Sequence, residues 1–367
     1  MTAADGLPAD VCVLLTPRQI GGHEIALLGW LADAVRRGLR PLIVAPTAAL
    51  AQACAARGLA PWLHPRWAAD AATRPGLLRL LAAWPADRPL LLAPGVLHAH
   101  AWLLAAAVAL RRLVWVYVPM AYTAVRMNYR FGAWRDRLLA PWLKRVAGWI
   151  TIDAQQAQCL GSDWQVRSPV YVLPNLARVP GDPPPQPAPA ADGRLRVGYV
   201  GRFDLQHKGL DWLLAAIHQH PAWRQRLHWR FQGQGPGELA LLEMASALGP
   251  QHAVVSPHAP LDEALAAVDV LVLPSRYEGL PLVALEATQR GWPVVASRDA
   301  GLNGLLPASS LFDFGDAAGL AHALDGLRTP AARLSAVSHS RARYGGRGRQ
   351  QRYASALQAL VEALRAR

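Results

Sequence analysis

A rhythm of short apolar runs, each followed by a loop and an amphipathic stretch, occurs twice in this chain and is interrupted once. In the first half the runs lie at residues 10–15, 42–45, 90–92 and 113–118, and 24–37 has helical spacing with an exit at Arg37-Gly38. Uninterrupted apolar runs of strand length suit strands buried on both faces, and strands alternating with helices imply βαβ units in a parallel sheet. The rhythm resumes at 195–200 and continues at 229–232, 253–255, 268–273 and 293–296. Between the halves, Pro180-Gly181-Asp182-Pro183-Pro184-Pro185-Gln186-Pro187-Ala188-Pro189 can build neither ladder nor helix, because proline lacks the backbone donor; it reads as an exposed, stiff connector. The sequence thus predicts an α/β protein with two Rossmann-like parallel-sheet domains, at 1–179 and 194–348. A Pro-rich linker at 180–193 joins them, and an amphipathic helix at 349–367 closes the chain. Ligands of such sheets bind outside the carboxyl ends of the strands, so the site is expected in a cleft where the two domains face each other.

Composition narrows the class. Of 367 residues 52% are hydrophobic and 17% charged, enough apolar surface for two cores and too little charge for a disordered chain. Thirty-eight basic residues against 25 acidic ones leave a net charge of +13, which favours an anionic partner: nucleic acid, an acidic lipid surface or a phosphorylated substrate. Lysine occurs only at Lys144 and Lys208, so a compositional preference for solvated arginine accounts for the surplus equally well. Cys12, Cys54 and Cys159 stand far apart and without ligand spacing, as small buried residues in a reducing compartment do. No basic segment leads into the first apolar run, where Asp5 and Asp10 stand instead, and no stretch of about 18 apolar residues occurs. The expectation is a cytoplasmic protein without a signal peptide or a membrane span.

Two segments carry chemistry. In the first, residues 268–287, a buried strand ends at Pro274, a loop carries Glu278-Gly279, and a helix begins near Pro281. Proline suits a first helical turn, and the N–H groups of Gly279 and Leu280, with the helix dipole, make an anion site. Glu286 lies a turn and a half further on, spaced so that both glutamates reach one ligand. In the second segment, 197–211, a buried strand ends in Gly201-Arg202 and Lys208 precedes a helix. Arg202 can hold a phosphate in a bidentate fork and Lys208 acts as a compact point charge. Singly, each glutamate reads as a helix-entry or surface residue; together, in strand–loop–helix settings, they read as a site.

These segments resemble the signature of family 4 glycosyltransferases, retaining enzymes of the GT-B-type fold. Glu278-x7-Glu286 is similar to the family's paired-glutamate motif, and Gly201-Arg202 with Lys208-Gly209 to its cationic diphosphate clamp. Gly21-Gly22-His23-Glu24, Leu173-Pro174-Asn175 and Gly233-Gln234-Gly235-Pro236 extend the resemblance through most of the chain. It implies that Arg202 and Lys208 stabilise the departing nucleoside diphosphate, that Glu286 accepts from the ribose hydroxyls, and that Glu278 sits against the donor sugar. Gly22 would let backbone approach the donor or acceptor, and the terminal helix would cross back onto the N-terminal domain. Neither half holds an Asp-x-Asp pair, so no metal or other cofactor is expected. The implied partners are a nucleoside-diphosphate sugar and a lipid-linked or saccharide acceptor, in cell-surface polysaccharide or glycolipid synthesis.

One departure concerns the sugar end. The family often places a histidine after a strand in the middle of its N-terminal domain, where this chain reads Val116-Tyr117-Val118-Pro119-Met120-Ala121-Tyr122-Thr123. His98, His100 and Tyr122 are the candidate sugar or acceptor contacts, and an ordinary loop role for the histidines stands beside that reading. Residues 126–145 mix arginines with aromatics, which suits an anionic membrane surface at the inner face of the cell membrane, an acceptor-phosphate patch, or an amphipathic helix with core tryptophans. The mixture also suits nucleic acid, but no recognition module accompanies it, so none is expected as partner. Two alternatives to transfer remain: a sugar-nucleotide epimerase of the same fold, and a non-catalytic subunit that binds a sugar nucleotide.

Overall fold

A computed structural model describes residues 9–16, 20–64, 73–177, 181–188, 190–344 and 347–366. Asp5, Pro180, Pro189 and Arg367 lie outside the described residues. The chain divides into two compact units, Met1–Asn175 with Gln350–Arg367, and Leu176–Arg349.

The first unit is built on a six-stranded sheet in the order β2-β1-β3-β4-β5-β6. Its strands are β1 (Val11–Leu15), β2 (Pro41–Val44), β3 (Pro89–Ala93), β4 (Leu113–Tyr117), β5 (Gly148–Thr151) and β6 (Val170–Val172), all paired in parallel. Every residue of β1 to β3 is buried, which is why they read as unbroken apolar runs. The last two strands lack that signature. β5 opens on Gly148, where a Cβ would meet the Trp115 ring at 2.5 Å, and all three residues of β6 are only half-buried. The helix Arg347–Arg365 joins this unit from Gln350 onward. There the Tyr353 hydroxyl donates to Asp33 (2.5 Å), and Leu357, Leu360, Val361 and Leu364 are buried.

The second unit has its own six-stranded parallel sheet, in the order β12-β11-β10-β7-β8-β9. The strands are β7 (Leu195–Arg202), β8 (Leu227–Gln234), β9 (Ala253–Ser256), β10 (Val270–Leu273), β11 (Val294–Ser297) and β12 (Leu311–Phe312). β7 and β8 stay paired from Leu195↔Leu227 to Arg202↔Gln234, beyond the apolar runs 195–200 and 229–232 that mark them in the sequence. Tyr199, Phe203, Trp229, Phe231 and Val270 fill the core on which both strands rest. The described residues of the Pro-rich segment are mostly exposed and outside any strand or helix, yet they are tied to this unit. Gln186 donates to the Gly291 carbonyl (2.9 Å), Arg196 to that of Ala188 (2.6 Å) and Arg290 to that of Gly181 (2.8 Å). Among the described residues no helix is long and apolar enough to cross a membrane.

Candidate functional site

The strand order of the second unit selects a place. The chain enters the sheet in the middle at β7, builds outward to β9, then crosses over to β10 and builds the other way. The carboxyl ends of β7 and β10 therefore flank the point where loops leave in opposite directions, the usual ligand crevice of an open α/β sheet. Arg202 ends β7, and the loop after β10 carries Ser275 to Gly279.

The two loops are sewn together. The Arg276 N–H donates to the His207 carbonyl (3.1 Å), and His207 returns a bond through Nε2 to the Tyr277 carbonyl (3.0 Å) while its ring stacks on Tyr277 at 4.5 Å. The Arg276 guanidinium forks onto Asp211 (2.7 and 2.8 Å) and covers the Phe314 ring at 4.6 Å. Gly209 completes the approach. Its φ is +66°, and a Cβ there would lie 1.9 Å from the Pro274 carbonyl oxygen, so only glycine lets the loops close to this distance.

Glu278 lies at the centre of these contacts. It is buried, its Oε1 forms an ion pair with Lys208 Nζ and accepts from the Ser275 hydroxyl (3.3 Å), and its Oε2 lies 4.0 Å from His207 Nε2. Burial alone would raise its carboxyl; the charges of Lys208 and His207, with the bonds from Lys208 and Ser275, outweigh that and hold it below the ordinary range. Burial likewise lowers His207, and the Glu278 charge opposes it. Arg202 is different: its side chain is 47% exposed and meets Asp204 at 3.3 Å, while its carbonyl accepts from the buried Tyr199 hydroxyl (2.7 Å). The backbone is anchored and the guanidinium left accessible.

Gly279 and Leu280 are buried in the turn that leads through Pro281 into the helix Leu282–Arg290. Glu286, on that helix, is raised to about 7 by burial, against a partial opposing charge from Arg290. Arg290 is itself engaged by Asp262 (2.9 Å), and no ion pair among the described residues neutralises Glu286. A half-buried carboxyl whose ionisation is opposed by burial is a candidate for a functional role.

The structure thus brings Gly201, Arg202, Lys208, Glu278, Gly279, Leu280 and Glu286 into one unit, and Gly22, His98, His100 and Tyr122 into the other. In that first unit the strand order reverses between β1 and β3. Gly22 opens the helix Gly22–Arg36 just after β1, and His98 and His100 follow β3. His98 Nε2 pairs with Asp136 (2.8 Å), the ring stands edge-on to Tyr129 and Trp164, and the side chain is 3% exposed. Burial lowers His98 despite Asp136. His100 Nδ1 reaches the Val96 carbonyl at 3.5 Å. Tyr122 is buried beneath the Arg126 guanidinium (4.9 Å).

Sequence reasoning passed over His207 and His23. His207 was visible only as a neighbour of Lys208; its partners lie in the other loop. His23 Nδ1 lies 2.6 Å from Glu24, the ring stacks on Tyr117 at 4.9 Å, and Nε2 is buried without a partner among the described residues. Glu24 also accepts from the Gly21 N–H (2.7 Å); burial would raise its carboxyl, but His23 keeps it low. Among the described residues no group of three or more His, Cys, Asp or Glu side chains is placed to hold a metal ion.

Comparison with known proteins bears on the second unit and on the fold. Residues 194–329 match the family Glycosyl transferases group 1, so the second unit carries a domain of that kind. Glycogen synthase of Mycobacterium tuberculosis is 29% identical over 227 residues, covering 57% of this chain and 53% of that protein. The chain spans about half the length of the curated relatives it matches first. Two solved structures share the fold over nearly the whole chain. HepE of Anabaena, solved with UDP and glucose, has a TM-score of 0.68 at 17% identity and covers 96% of this chain and 98% of its own. Sucrose-phosphate synthase of Thermosynechococcus elongatus has a TM-score of 0.65 at 18% identity, with 96% and 97% covered. The fold is therefore α/β of the GT-B type, with two parallel six-stranded sheets.

Proposed function

We propose that this chain is a retaining, metal-independent glycosyltransferase of the cytoplasm. In this reading it moves a sugar from a nucleoside-diphosphate sugar to a lipid-linked or saccharide acceptor, in cell-surface polysaccharide or glycolipid synthesis. The observation that carries this reading is the Lys208–Glu278 ion pair joining the loops after β7 and β10, with the accessible Arg202 at the end of β7 and Glu286 on the helix that follows β10. A diphosphate leaving group gathers negative charge as its bond to the sugar breaks. Two cations held in place beforehand stabilise that charge without reorganising, usually the largest single contribution to catalysis. Here Lys208 is held by Glu278 before any donor arrives, and Arg202 extends from an anchored backbone with its guanidinium accessible. Gly201, Gly279 and Leu280 shape the backbone around the diphosphate, and ionised Glu286 accepts from the ribose hydroxyls. Glu278 lies toward the donor sugar. On the first unit Gly22 leaves room for donor or acceptor, and His98, His100 and Tyr122 are assigned to the sugar or acceptor side. The UDP and glucose of the HepE structure support a uridine donor.

The test is a thermal-shift series with UDP, GDP and ADP and their sugars, since a ligand of the native state raises Tm. A shift with one base that is lost in Arg202→Ala is expected; an equal shift in that variant would remove the clamp. Turnover of donor without acceptor to an epimeric sugar nucleotide would replace transfer by epimerisation.

A further inference from the structure

Residues 125–145 of the first unit hold six cations, Arg126, Arg130, Arg135, Arg137, Lys144 and Arg145, and a single acid, Asp136. All six cations are exposed. Asp136 is turned inward: its carboxylate accepts from the N–H groups of Ala124 (2.8 Å) and Val125 (3.3 Å) and pairs with His98. Arg126 is drawn to Asp163 at 3.6 Å, an acid outside the segment. The other five cations of the segment make no ion pair among the described residues, so its outward side is positive from Arg130 to Arg145.

Among these cations stand Val125, Phe131, Trp134 and Leu138, between 52% and 67% exposed. Trp134, Leu138 and Pro141 follow one another at helical spacing on the helix Gly132–Leu143, so they form one stripe. Leu138 continues into a hollow of about 260 Å³ that it lines with Trp102, Ala105 and Trp142. Phe131 is the most informative residue. Its φ of 58° is left-handed, a region closed to most bulky L-residues, and yet the ring is 67% exposed. The turn seats Gly132 against the backbone of Val125, where a Cβ would lie 2.6 Å away, and leaves the phenyl ring, with the Arg130 guanidinium over it at 5.0 Å, largely in water and free to enter a surface that receives it.

We propose that residues 125–145 dock on an anionic lipid bilayer, with the helix Gly132–Leu143 lying along the headgroups and Phe131, Trp134 and Leu138 buried beneath them. Aromatic and aliphatic side chains on one helix, ringed by arginine, match a helix that lies in the interface plane. The charge selects the bilayer over a second copy of the chain: a partner with net charge +13 and this same patch would repel it. Docking on lipid does not require sugar transfer, so the proposal stands or falls apart from the reading of the second unit.

The test is co-sedimentation of the full chain with vesicles of phosphatidylcholine alone and of phosphatidylcholine with phosphatidylglycerol. Binding is expected only to the second, weakening as salt shortens the reach of the charges. Each cation near such a surface contributes about fivefold, so Arg130→Glu with Arg137→Glu should weaken binding at least about 25-fold. Phe131→Asn keeps a residue that tolerates the left-handed backbone; it should lower vesicle affinity about tenfold while Tm stays level or rises. Donor-induced thermal shifts should persist in these variants. Equal binding to both vesicles, or none to either, would overturn the proposal. So would a dimer that Phe131→Asn dissolves, or tighter binding of an oligonucleotide than of the anionic vesicles.

Discussion

Both units present loops at a point where the strand order reverses, but they use their polar residues in opposite ways. In the second unit Lys208, His207, Ser275 and Glu278 come from two loops and are engaged with one another, while Arg202 and Glu286 carry charges that the fold does not fully spend. In the first unit His98 is taken up by Asp136, Tyr122 is buried, and Glu24 caps its own helix. The same topology thus frames a charge cluster in one case and mostly a packed interior in the other. The His98 ring nitrogen is engaged by the half-buried Asp136. Residual charge, more than polarity, distinguishes the two ends.

The sharpest way to break this comparison is to remove the cations. Arg202→Ala should cut kcat/KM with a UDP-sugar about 10²- to 10³-fold with little change in Tm, because its side chain is half exposed. Lys208→Ala should lose at least as much and also melt earlier, since it strands the buried Glu278 carboxylate. Activity surviving both changes would move the site out of the second unit.

Glu286→Gln tests the unspent charge. The native carboxyl is raised to about 7, above its unfolded value, so the native state binds a proton the unfolded chain gives up. That contribution is whole below the unfolded value and fades as pH rises from about 4.5 to about 7. Denaturant titrations should show the wild type losing up to about 3 kcal/mol across this window relative to the variant. Donor affinity should move the other way, rising with pH in the wild type and flat in Glu286→Gln.

His98→Ala should cost about 1–3 kcal/mol of stability by leaving Asp136 with one partner fewer, and should change kcat by less than tenfold. A large loss of kcat at unchanged Tm would give the first unit a chemical role after all. The smallest expected effect is that of chelation: EDTA should leave turnover where it was, and recovery by added Mg²⁺ or Mn²⁺ would reverse the reading of the cation pair.

Much of this was legible because buried parallel strands leave a local mark. β1, β3, β7 and β10 are apolar over consecutive residues, and a proline or glycine stands at or near their exits. The strands β5, β6 and β12 were not legible. Gly148 is dictated by Trp115, β6 is half-buried, and β12 spans only Leu311–Phe312. At the site the motif residues could be named, but not the contacts that make them work. Gly209 is required by the Pro274 carbonyl and His207 by Tyr277 and Glu278, each supplied by a loop far along the chain.

The sequence by itself determined two parallel-sheet units and the residue types at their strand ends, because burial on both faces and the backbone needs of glycine and proline act over a few residues. Only the tertiary structure decided which charges meet. Lys208 and Glu278 are 70 positions apart and become partners because β7 pairs with β10, a neighbour relation that no local preference encodes. The same holds for Asp136, whose inward turn toward His98 leaves its segment with an outer face of arginine, tryptophan and phenylalanine.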